Sequence, residues 1–103
     1  MATSTTLIGA CKGLIHALTV HDDPGQPPAI AARWTTCVAR NAAIGQHLQG
    51  LAASSPAYDA VITALNNATH AVDGADYTNA ASVNAALGQV ESAQGQMGAL
   101  VGA

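Results

Sequence analysis

The chain has 103 residues, half of them hydrophobic but only 9% charged and 3% aromatic, with a formal net charge of −3. Such a length makes one domain with a small core, and the low charge removes the self-repulsion that keeps weakly hydrophobic chains disordered. Lys12, Arg33 and Arg40 are the fixed cations; three scattered charges cannot make a nucleic-acid-binding stripe, and no apolar run approaches the ~20 residues that span a membrane.

The first helix is expected over 5–20, capped by Ser4 or Thr5, with Leu7, Ile8, Cys11, Leu14, Ile15 and Leu18 forming one apolar stripe. His21-Asp22-Asp23-Pro24-Gly25-Gln26-Pro27-Pro28 supplies a turn, and Pro27 or Pro28 opens a second helix over 28–53. Its residues Ile30, Trp34, Cys37, Asn41, Ile44, Leu48 and Leu51 recur at alternating steps of four and three, the seam of a helix packed along another. Ser54-Ser55-Pro56 reads as stop, cap and first-turn proline. A third helix follows over 56–73, carrying Tyr58, Val61, Ile62, Leu65, Ala68 and Val72, with Gly74 as a left-handed cap. Thr78 is expected to cap the fourth, over 78–101, whose seam is Val83, Leu87, Val90, Gln94, Met97 and Val101. No alternating run predicts a strand. The fold class is all-α: a small antiparallel up-down four-helix bundle, one domain over residues 1–103.

Four groups of residues invite a chemical reading. Cys11 and Cys37 each lie thirteen residues from Pro24, so a symmetric hairpin sets them face to face within disulfide range; two buried free thiols are the alternative. Up-and-down folding gathers His16, His21, Asp22, Asp23, His70, Asp73, Asp76 and Tyr77 at one pole. No histidine pair has i, i+4 spacing, so no metal site is favoured and His16, His21, His70 and Asp73 are only weak candidates. Asn41 and Gln94 each interrupt a seam, either to fix register from inside or because they face water. Seven glycines fall within helical pattern, at 9, 13, 45, 50, 88, 95 and 98, each lowering helix stability by about 1 kcal/mol against alanine.

An enzyme is not expected, because no nucleophile–base constellation or phosphate-cradling loop is present, and no cofactor is implied. The chain matches the helical-hairpin substrates of type VII secretion in size alone: Thr35 and Thr36 follow Trp34 where that family has a glycine turn. Low charge and abundant Ala and Gly point to a protein–protein interaction or assembly module, as an accessory subunit, inhibitor or adaptor of bacterial or phage origin. Gly88, Gly95, Gly98 and, if exposed, Trp34 are the expected contacts with a protein partner or a second copy. Trp34 otherwise anchors the core. The alternative is a carrier of a small apolar ligand or haem between helices. No leader pattern is visible, which leaves cytoplasmic, virion-associated and secreted, leader-removed locations open.

Overall fold

Each helix starts where a local group can satisfy or remove its unpaired N–H groups. Thr3 caps α1 (Ser4–Val20) by accepting from the Thr6 amide at 3.2 Å, one residue ahead of the expected cap. Pro28 is the first residue of α2 (Pro28–His47), where its missing N–H is no loss. Ser55 Oγ accepts from Ala57 N at 3.2 Å to begin α3 (Ala57–Gly74). Asn79, not Thr78, caps α4 (Ala80–Leu100), its Oδ1 accepting from Ala81 N at 3.0 Å. The expected Thr78 cap is pre-empted because its amide and hydroxyl both donate to Asp76 Oδ1. The structure is a computed structural model describing residues 1–102; residue 103, the last of the expected domain, lies outside the described residues.

Two helix ends differ from expectation. The second helix stops at His47 rather than near 53, tightens into a 3-10 turn over Leu48–Gly50 and becomes extended at Leu51. Competing pairings explain the early stop: Ser4 N donates to Ala53 O at 2.9 Å and Ser55 N to Ala2 O at 3.3 Å, so this backbone bonds to the N-terminus instead of to its own helix. Gly74 is the last residue of α3 rather than a left-handed cap; Ala75 simply leaves in extended conformation.

The four helices form an all-α bundle, with an isolated Thr3–Ser54 bridge the one β-type pairing among the described residues. Both seams face inward as their spacing predicts. Ile30, Trp34, Cys37, Asn41, Ile44 and Leu48 are buried from α2 and its 3-10 turn, and Val83, Leu87, Val90, Gln94 and Met97 from α4. Leu7, Cys11, Leu14 and Leu18 of α1 and Tyr58, Val61, Leu65, Ala68 and Val72 of α3 complete the core.

Helix directions alternate along the chain, but the spatial order is α1–α2–α4–α3. Thr3 pairs near Ser54 at one pole and His21 reaches Asp73 at the other, so α1 and α3 are parallel neighbours. Arg33 reaches Glu91 and Cys37 reaches Gln94, so α2 and α4 are parallel neighbours too. The segment 48–56 therefore crosses the end of the bundle diagonally, a connection that chain length alone does not distinguish from a short turn.

Candidate functional site

The two polar seam residues meet. Asn41 is 1% exposed and Gln94 fully buried. Gln94 Nε2 donates to Cys37 O at 2.7 Å and to Asn41 Oδ1 at 3.2 Å, while Asn41 Nδ2 donates to Cys11 O at 3.2 Å. One hydrogen-bonded chain thus ties α1, α2 and α4 at mid-height, and its geometry fixes which way both amides point. Gln94 Oε1 is left buried without a partner, the kind of group whose burial is costly. The water-facing alternative for these residues is excluded.

Cys11 and Cys37 are both buried free thiols. The hairpin register accounts for it: Cys11 faces Asn41, one helical turn beyond Cys37, and Trp34 Nε1 donates to Leu18 O at 3.0 Å in the same register. The turn is not symmetric about Pro24. With Leu18 beside Trp34, the first turn of α2 rises past the end of α1 before the helices run together. Burial pushes the Cys11 thiol above its ordinary value and that of Cys37 up to about 11, so both stay protonated at neutral pH.

At the pole the structure brings His21, Asp73 and Tyr77 together, and the turns engage Asp23 and Asp76. His21 Nε2 lies 3.1 Å from Asp73 Oδ1, and its ring stacks on Tyr77 with centroids 5.3 Å apart. Asp23 accepts from Gly25 N and Gln26 Nε2, each at 2.8 Å, and Gln26 also donates to Tyr77 O. These bonds hold the Asp23 carboxyl below its ordinary value, and Thr78 does the same for Asp76. His16 and His70 are exposed, and no group of three or more His, Cys, Asp or Glu side chains suited to a metal occurs among the described residues.

Of the expected contact residues, Trp34 is 4% exposed. Its indole donates to Leu18 O and meets Tyr77 edge-on at 5.9 Å. That is the core-anchor reading, and the exposed-contact reading of Trp34 is corrected accordingly. Gly98 is also buried, on the inner side of α4. Gly88 and Gly95 are exposed, and a Cβ added at either meets no atom within 4 Å. They share an outer stripe of α4 with Asn84 and Glu91, both held by Arg33: Nη1 to Asn84 Oδ1 at 2.8 Å, Nη2 and Nε to the Glu91 carboxylate at 2.7 and 3.1 Å.

A groove of about 250 Å³ lies between α1 and α2, a position the sequence does not single out among the helix pairs. Its walls are mostly apolar: Ile8 and Ile15 on α1, Ala42 and Gly45 on α2 and Leu48 of the 3-10 turn line it. Gly45 has a structural duty there, since a Cβ would come within 3.2 Å of Cys11 Sγ. The signal was present as pairing rather than motif. The apolar stripe of α1 is two residues wide, and the part of α2 that faces it carries small residues, so large side chains are not met by large ones. The volume is below the roughly 300–1,000 Å³ of pockets that enclose drug-sized ligands. No protein-family model, curated protein or solved structure matches the chain.

Proposed function

We propose that this chain is a non-enzymatic contact module that presents the outer stripe of α4 to a protein partner or a second copy of itself. The observation that carries this reading is the open space over Gly88 and Gly95. Each glycine weakens its helix by about 1 kcal/mol relative to alanine. Internal packing offers no compensation, because nothing inside the bundle approaches either position. Close approach of an external backbone is a use for a missing side chain that fits both facts. The Arg33 fork on Asn84 and Glu91 keeps the stripe in place beside α2.

Gly95→Leu tests it, read by sedimentation and native mass at rising protein concentration and by retention of partner proteins. Association is expected to weaken while helicity holds or rises. Unchanged association in both Gly88→Leu and Gly95→Leu would overturn the reading. A second reading, a carrier of a small apolar ligand, is favoured by the groove between α1 and α2.

A further inference from the structure

We infer that the groove between α1 and α2 takes an anionic amphiphile: one short alkyl chain ending in a carboxylate, with Lys12 receiving the head. This deepens the carrier reading and rests on it. Size sets the occupant first. About 250 Å³ holds about eight groups of water or methylene size, at roughly 30 Å³ each. One alkyl chain of about eight carbons fits. Ile8 and Ile15, both half-buried, supply the apolar surface such a chain buries.

Charge then selects the head group. All three fixed cations stand on α1 and α2, and neither helix carries an Asp or Glu; Asp59 and Asp73 are on α3 and Glu91 on α4. Arg33 is already committed to Glu91. Lys12 lines the groove and makes no ion pair among the described residues. A carboxylate at the rim therefore meets a free ammonium and no repelling acid on either wall; Gln46 and Gln49 are other polar side chains of the α2 end of the groove. An uncharged head leaves that ammonium unused, and a cationic head is repelled by it.

The test is an NMR titration of the full chain with octanoate and, separately, octan-1-ol, both below micelle-forming concentrations. Octanoate should produce saturable amide shifts at Ile8, Cys11, Ile15 and Gly45. Lys12→Gln, an exposed substitution, should weaken octanoate by about two- to fivefold, as for a solvent-exposed ion pair, and leave octanol unchanged. Ala42→Trp, which fills the groove from its rim, should abolish both. Equal affinities for acid and alcohol, unaffected by Lys12→Gln, overturn the inference while the carrier reading stands. No saturable shift with either ligand overturns the carrier reading as well. Binding to phosphatidylglycerol vesicles without octanoate shifts also overturns the inference, because it makes the surface, not the groove, the anion site.

Discussion

Asn41 and Gln94 show how a polar residue inside a seam becomes specific information. Each alone is a buried amide that must find partners; across α2 and α4 they find one another. Asn41→Leu strips Gln94 Nε2 of one acceptor and Cys11 O of its side-chain donor. A loss of about 1–3 kcal/mol in urea unfolding is expected, the range for an orphaned buried polar group. Adding Gln94→Leu should recover part of that loss, since removing both partners removes the orphan. Strictly additive losses would show that the pair does not act as a unit. The cysteines carry a pH prediction at the same scale. Cys37 has its thiol raised from 9.0 to about 11 by burial, so the native state holds this proton more tightly than the unfolded chain does. Its contribution to stability is complete below pH 9 and is lost as pH rises through about 11. Cys37→Ala should flatten that alkaline fall, measured by urea midpoints at several pH values. In native protein both thiols should resist a thiol reagent, and both should react after unfolding.

Helix starts were legible to within about two residues because caps and first-turn prolines are local chemistry. Ser55 capping Ala57 N and Pro28 opening α2 show this directly. The stops at His47 and Gly74 were not legible, since one depends on bonds between residues 53–55 and 2–4 and the other on an extended exit at Ala75. Glycines separate on the same principle: sequence makes them alike, and surroundings make them different. Gly88→Ala and Gly95→Ala should each raise unfolding free energy by about 1 kcal/mol, because helix propensity improves and the new Cβ meets nothing. Gly45→Ala should gain less or lose, because Cys11 Sγ must shift to admit its Cβ at 3.2 Å. Equal gains at all three positions would mean that the close contact with Cys11 has no energetic weight.

At the scale of the molecule, the order α1–α2–α4–α3 places Arg33 beside Glu91. In a bundle where every helix neighbours the next in sequence, those residues would stand on a diagonal. Charge exchange tests the pair. Arg33→Glu and Glu91→Arg should each destabilise, and the double exchange should regain part of the loss. A coupling of about 0.5–1 kcal/mol is expected for a partly exposed pair with forked geometry. Zero coupling would mean that the fork adds no net stability where α2 meets α4. Arg33 also holds the Glu91 carboxyl below its ordinary 4.5. The pair therefore stabilises fully above that value and less as pH falls through the lowered native one.

The sequence by itself determined four helices, their inward faces, the two interrupted seams and the gathering of Asp and His at one pole. Each follows from periodicity, from caps and turns, or from the alternation of direction along the chain. Only the tertiary structure decided that Cys11 meets Asn41 instead of Cys37, that Asn41 bonds Gln94, and that a groove lined by Ile8, Ile15, Ala42 and Gly45 remains between α1 and α2. The reason is common to all three. A slide of one turn along a helix keeps every apolar residue on its face, so the pattern is satisfied equally by several registers and by more than one cyclic order of helices. What separates them is contact between residues far apart in the chain, chiefly a few buried hydrogen bonds whose geometry only one arrangement fulfils.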